Sequence, residues 1–239
     1  MDFSGAISST AGGAAIAAGA LAYAVRVPSC TWLAPSVARG PGDRPAIALT
    51  FDDGPSESTD QLLEILAQFR VSATFFQCGA NARRLPAVAR AVTAAGHEIG
   101  NHTESHPMLA LHAAKFIDRE LAQAQESIEA ASGIRPRYFR PPYGVRWFGL
   151  RQAQRRHNLT GVMWSTIALD WKRQAPEVVA RLLQGANNGA IFCLHDGRAL
   201  AHRPDISVTL QAVREIVPRL LDRGFRLETL TDLLCPTTN

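Results

Sequence analysis

From about residue 46 onward the apolar positions follow two alternating rhythms. Short runs rich in Val, Ile, Phe and Ala fall at 46–51, 73–77, 97–100, 138–140, 160–165, 190–195 and 225–228, and read as strands. Between them, apolar residues spaced by three and four predict helices near 60–69, 86–95, 113–131, 149–157, 176–184 and 207–222. The stretch 113–131 is the clearest, with Phe116, Ile117, Leu121, Ala124, Ile128 and Ala131 on one stripe and Gly133 as a stop. Strands that alternate with helices argue for a parallel sheet with helical crossovers. Seven strands with six or seven helices suit a (β/α) barrel, complete or incomplete, with an open doubly wound sheet as the alternative.

The first 45 residues depart from this rhythm. Phe3 to Val25 carries no charge and is dominated by Ala, Gly and Ser. As a helix it would extend about 34 Å at ~1.5 Å per residue, so residues 1–28 are expected to form a hydrophobic N-terminal segment, either a signal peptide or a membrane anchor. Ala22-Tyr23-Ala24 fits a small-x-small cleavage site. Against that, Asp2 stands where a basic n-region would be, and Arg26 favours a cytoplasmic downstream side. A packed Ala-rich helix or a disordered tail is the bland alternative. Residues 29–45, rich in Pro and Gly, read as a linker, and 46–235 as the folded domain.

Composition excludes some classes. The chain has 239 residues and a formal charge of +4, nearly all its cations being Arg scattered along its length. No basic run interleaves with aromatics, so nucleic acid is not an expected partner. Four cysteines without CxxC spacing exclude a zinc-thiolate knuckle. Cys193 reads as a small buried hydrophobe, Cys78 as packing, and Cys30 and Cys235, which flank the domain, could pair if the chain is exported.

The candidate chemistry lies at strand ends. In Thr50-Phe51-Asp52-Asp53-Gly54-Pro55 the two carboxylates follow the first strand, and His102-Thr103-Glu104-Ser105-His106 follows the third. A hydrolytic metal site needs ligands that leave a coordination position open, plus a base, and an Asp doublet can divide those tasks. Asp-Gly-Pro is also ordinary turn chemistry, and His102 and His106 at i, i+4 could be helix-face or cap histidines. Placed together at strand ends, they point to Asp53, His102 and His106 as ligands of one divalent metal. Two histidines and a carboxylate also describe non-haem iron oxygenases, but nothing else here asks for redox iron. His97, His112, His157 and His202 lack such surroundings and read as surface or structural. Arg140-Pro141-Pro142-Tyr143-Gly144 is a rigid turn in which Arg140 could clamp a carboxylate and the Tyr143 N–H could serve as an oxyanion donor. Asp170-Trp171 could be a loop pair with a buried indole, or a carboxylate for a histidine beside an indole that stacks on a sugar face. His195 ends a very apolar strand and, with an Asp partner, would be an acid.

With these motifs in order (TFDDGP 50–55, HTESH 102–106, RPPYG 140–144, LDW 169–171, CLHDG 193–197), residues 46 to 235 resemble the polysaccharide deacetylases of carbohydrate esterase family 4, the NodB-homology domain. The resemblance implies a distorted (β/α) barrel of seven parallel strands with outer helices. It implies Asp52 as base, Asp53, His102 and His106 as ligands of a metal (Zn²⁺, or Co²⁺ or Ni²⁺), Arg140 as the clamp on Asp52, and Asp170 as the tuner of the acid His195. Tyr143 and Trp171 would contact substrate. The implied activity is removal of N-acetyl groups from an N-acetylglucosamine-type glycan such as peptidoglycan or a chitin-like oligomer; with the N-terminal segment, the expected place is the cell envelope, membrane-anchored through residues 3–25 or secreted, with a cytoplasmic protein as the alternative. Two readings compete: a deformylase or deacylase of a lipid-linked sugar, and a non-catalytic glycan-binding envelope protein of the same fold. The chain departs from the family pattern at Ser165 and Ile167, where acidic residues are usual, and at Cys193, where a larger apolar residue is usual. Both concern the groove walls.

Overall fold

A computed structural model describes residues 4–235, and a single parallel sheet organises them. Its strands are β1 (Ser36–Val37), β2 (Ala46–Gly54), β3 (Thr74–Gln77), β4 (Glu98–Asn101), β5 (Tyr138–Phe139), β6 (Thr160–Val162), β7 (Thr166–Ile167), β8 (Ala190–His195) and β9 (Arg226–Glu228). They run in the order β1-β6-β5-β4-β3-β2-β8-β7, with β9 also on β2. One edge of β2 pairs with β8 from Ile47 to Asp52, while β9 and then β3 share the other edge. The two ends of the path, β1 and β7, do not pair with each other, so the barrel is distorted and open on that side.

The alternation along β2 decides which side chains reach the barrel interior. Ile47, Leu49 and Phe51 pack outward into the large core beneath the helices, whereas Ala46 and Ala48 face inward beside Phe76, Val162 and Ile191. Small residues at 46 and 48 suit a narrow interior. Continuing that rhythm, Thr50 and Asp52 also face inward, and Asp52 emerges at the carboxyl end where a parallel barrel carries its chemistry.

The helices are α1 (Ser4–Arg26), α2 (Thr59–Phe69), α3 (Gly79–Arg84), α4 (Pro86–Ala94), α5 (Ala114–Ser132), α6 (Leu150–Arg156), α7 (Ala175–Gln184), α8 (Ser207–Asp222) and α9 (Leu230–Leu234). The predicted stripe on α5 is buried at Ile117, Leu121, Ala124, Ile128 and Ala131, and the helix ends at Gly133 in the left-handed region (φ 78°). β1, β7, α3 and α9 were not anticipated, because elements of two to six residues are too short to display a period.

Several expectations about the flanks change. The Pro- and Gly-rich segment read as a linker contributes β1, which pairs with Gly161 and Val162, and Arg39 bridges to Ala190. The buried guanidinium of Arg146 binds the carbonyls of Val27 and Cys30, fastening this segment to the barrel. The apolar segment is helical as α1, but no helix among the described residues is long and apolar enough to cross a membrane. Residues 1–3 of that segment lie outside the described residues. Cys30 and Cys235 are free, as are Cys78 and Cys193, so the flanking disulfide does not form in this structure.

Candidate active site

In a regular strand, adjacent side chains point to opposite faces, so Asp52 and Asp53 could not share a site. β2 resolves this with a bulge. The register against β3 slips between Asp52 and Gly54, and Asp53 takes a left-handed backbone (φ 73°). Both carboxylates therefore line the same cavity of about 530 Å³. The doublet lies inside the strand, not after it as the pattern suggested. Thr103 (φ 67°), His106 (φ 56°), Tyr143 (φ 57°) and Leu169 (φ 63°) are left-handed too, so backbone strain gathers around this cavity.

His102 and His106 follow β4 in an irregular loop, and their spacing does not place them on a helix. Thr103 Oγ1 accepts the His106 N–H at 3.1 Å and Asn101 Oδ1 accepts the Thr103 N–H at 2.8 Å, which fixes the loop. His102 Nδ1 lies 2.7 Å from the Arg140 carbonyl, so it carries the proton there and turns Nε2 toward the cavity. Asp53 Oδ1 is 3.3 Å from His102 Nε2 and 2.9 Å from His106 Nε2. Its other oxygen accepts the Ala199 N–H at 2.8 Å. One oxygen and two imidazole nitrogens thus converge, all three residues buried, in a group that could hold a divalent cation. Burial works against charge on Asp53, but hydrogen bonds from His102 and His106 hold its carboxyl well below the usual range.

Asp52 is bound on both oxygens. Arg140 Nη1 donates to Oδ1 at 2.7 Å, and the Cys193 thiol donates to Oδ2 at 3.4 Å. Arg140 is fully buried and its other donors are spoken for: Nη1 also reaches Thr50 Oγ1, while Nε and Nη2 reach the carbonyls of Val162 and Met163. Its guanidinium lies 4.2 Å from the centre of the Phe76 ring. A cation held at this many points cannot swing away from Asp52.

Across the cavity, His195 Nδ1 lies 2.8 Å from Asp170 Oδ1. Asp170 Oδ2 accepts the His195 N–H and the Thr209 hydroxyl, so this carboxylate is fully engaged. Burial opposes charge on His195, but the Asp170 carboxylate beside it, with Asp53 and Asp52 behind, raises its pKa to about 9. Trp171, half-exposed, sets its ring edge-on to His195 with centroids 4.7 Å apart. Tyr143 meets the His106 ring in the same way at 4.8 Å. The turn's own hydrogen bonds run from the Gly144 and Val145 N–H groups, leaving that of Tyr143 outside them.

All nine sequence-derived positions come together here. Missed were Thr50, Trp164 and Arg198, and Cys193, expected on the groove wall, also reaches Asp52. For two of these a signal existed: Thr50 and Cys193 stand two residues before Asp52 and His195, so a period of two puts them on the same inward face. Cys193 is therefore more than a small buried hydrophobe. Cys78 remains packing, buried with its thiol 3.9 Å from the His102 carbonyl. His97 is structural: burial pushes it down to about 4, and its Nδ1 accepts the Ala73 N–H.

A polysaccharide deacetylase family model matches residues 39–162. A chitooligosaccharide deacetylase of Sinorhizobium fredii is 35% identical over 204 residues, covering 82% of this chain and 94% of that protein. The crystal structure of a peptidoglycan N-acetylglucosamine deacetylase superposes with a TM-score of 0.78 at 32% identity, covering 84% of this chain and 92% of the other. A pseudoenzyme of carbohydrate esterase family 4 from Bacillus anthracis superposes with a TM-score of 0.76 at 26% identity, covering 85% and 69%. Since an inactive protein shares the fold, activity has to be argued from side chains. Family membership itself is secure: the chain belongs to the polysaccharide deacetylases.

Proposed function

We propose that this deacetylase removes N-acetyl groups from an N-acetylglucosamine-type polysaccharide of the cell envelope, using a divalent cation, Zn²⁺ in the first instance, held by Asp53, His102 and His106. One observation carries the reading: Asp52 with its buried partner Arg140, and His195 with its buried partner Asp170, face one cavity beside Asp53, His102 and His106. When bound, the cation supplies Lewis-acid polarisation and a more acidic water. Asp52, oriented by Arg140, accepts the proton from the attacking water. The Tyr143 N–H faces the developing oxyanion, a contribution of ~3 kcal/mol for one such donor. His195, kept protonated by Asp170, gives its proton to the departing amine, and Trp171 offers a sugar-stacking face at the rim. The roles all fall within residues 46–235, which we take as the catalytic domain.

The test separates ligand from base. Asp52→Asn should retain its metal and lose turnover by ~10²–10⁴-fold, whereas His102→Ala should lose the metal. Metal content and acetate release from N-acetylglucosamine oligomers measure both, and full activity in Asp52→Asn would sink the assignment. A non-catalytic scaffold would release no acetate from any glycan. A second substrate, a lipid-linked acylated sugar, is favoured by one feature: Arg26, the last residue of the apolar helix α1, lines the same cavity. Comparing oligomers, peptidoglycan and a lipid-linked sugar side by side decides between them.

A further inference from the structure

The cavity holds a second group of metal-ligating side chains. Asp52, Cys193 and His195 each offer one ligand atom, and these atoms lie within 4.8 Å of one another. None of the three belongs to the Asp53, His102 and His106 trio. We propose that Asp52, Cys193 and His195 form an inhibitory site for a soft or borderline divalent cation, Cd²⁺ or excess Zn²⁺, next to the resident metal site.

Geometry supports this at each ligand. Asp52 has one oxygen to give: Arg140 occupies Oδ1, while Oδ2 is met only by the Cys193 thiol at 3.4 Å and lies 4.0 Å from His102 Nε2. With metal–oxygen and metal–sulfur bonds of about 2.1 and 2.3 Å, a tetrahedral site spaces its ligand atoms by about 3.5 Å, so the oxygen–sulfur pair already has the right separation. His195 is prepared in the manner of a metal-binding histidine. Its Nδ1 is taken by Asp170, which fixes the tautomer and leaves Nε2 for the cavity, the same device that the Arg140 carbonyl applies to His102.

Ligand chemistry sets the selectivity. The resident trio has no sulfur, whereas this one adds a thiol, which Mg²⁺ and Ca²⁺ do not seek. The Cys193 thiol donates to Asp52 Oδ2, so without a cation it carries its proton there. On binding, the S–H bond breaks, the proton leaves to solvent, and the thiolate lone pair goes to the cation. His195 must likewise be neutral. The cation then occupies the base and the acid together, and the protein cannot turn over. That last step rests on the proposed deacetylase mechanism, but cation binding does not.

The experiment loads full-length protein with one equivalent of Zn²⁺ and titrates it with CdCl₂. It follows the ultraviolet thiolate-to-cadmium charge-transfer band, and acetate release from N-acetylglucosamine oligomers as a fraction of each variant's own uninhibited rate. The wild-type band should saturate with one thiol-bound equivalent and be absent from Cys193→Ala, which retains Cys30, Cys78 and Cys235. The half-inhibitory Cd²⁺ concentration should rise at least ~10-fold in that variant, the equivalent of about 1.4 kcal/mol of lost binding, while MgCl₂ inhibits neither. Cys193→Ser, close in volume, serves if Ala fails to fold. An unchanged band in the Cys193 variant, or none in the wild type, overturns the proposal. Absence of acetate release from uninhibited protein would overturn the deacetylase reading and leave the band to decide the cation site.

Discussion

His195 and Asp170 show how far a single pair of side chains can set a pH profile. In the proposed mechanism His195 is the acid and must carry its proton before the amine departs, and its pKa near 9 keeps it protonated through neutrality. Activity limited by this group is therefore present below that value and lost as pH rises through it. Asp170→Asn removes the charge that outweighs burial, so the alkaline limb of the kcat profile should move down by more than about one unit, with turnover at neutral pH falling accordingly. A pH–rate profile of the two proteins checks this, and an unmoved alkaline limb would show that another group sets it. Cys193 makes the complementary point. Its spacing from His195 puts it on the inward face, but only the position of Asp52 on the neighbouring strand reveals a thiol donating to that carboxylate.

At the scale of elements, the bulge at the end of β2 does most to build the site. It is held from behind by Asp196, whose carboxyl accepts from Thr59 Oγ1 at 2.7 Å and whose backbone N–H donates to the Asp52 carbonyl at 3.1 Å. A Cβ at Gly54 would fall 2.2 Å from Asp196 Oδ2, closer than any real contact. Gly54→Ala must therefore push β2 and the Asp196 loop apart, at a cost of about 1–3 kcal/mol, and turn the Asp52–Asp53 pair out of register. Denaturant unfolding should show the loss, and metal affinity should fall with it; wild-type values for both would mean the loop yields freely. The glycine is legible in the motif as a turn residue, yet its reason is a carboxyl group 142 positions away.

Taken as a whole, the molecule buries the three proposed metal ligands at the carboxyl ends of the strands of an open barrel. In such a site the bound cation stabilises the folded chain by mass action, about 2.7 kcal/mol when its concentration is a hundred times its dissociation constant. For a domain of this length that amounts to about 5–10 °C in Tm. Dialysis against a chelator should lower Tm by that amount and Zn²⁺ should restore it, with His102→Ala insensitive to both; differential scanning calorimetry measures all three. Much of this architecture was legible along the chain. Strand–helix alternation announced the parallel sheet with helical crossovers, and polar residues closing apolar strands announced which end carried the chemistry, because strand burial and helix stripes are local periodicities. What the chain did not announce depends on contacts distant in sequence: the docking of β1 against β6, the bulge that turns Asp53 beside Asp52, and a loop rather than a helix beneath His102 and His106. By itself the sequence determined which residues could do the chemistry and at which edge of the sheet they stand. Only the tertiary structure decided how they face one another, since side-chain direction at a bulge, a left-handed turn or a strand pairing is set by neighbours that local periodicity does not encode.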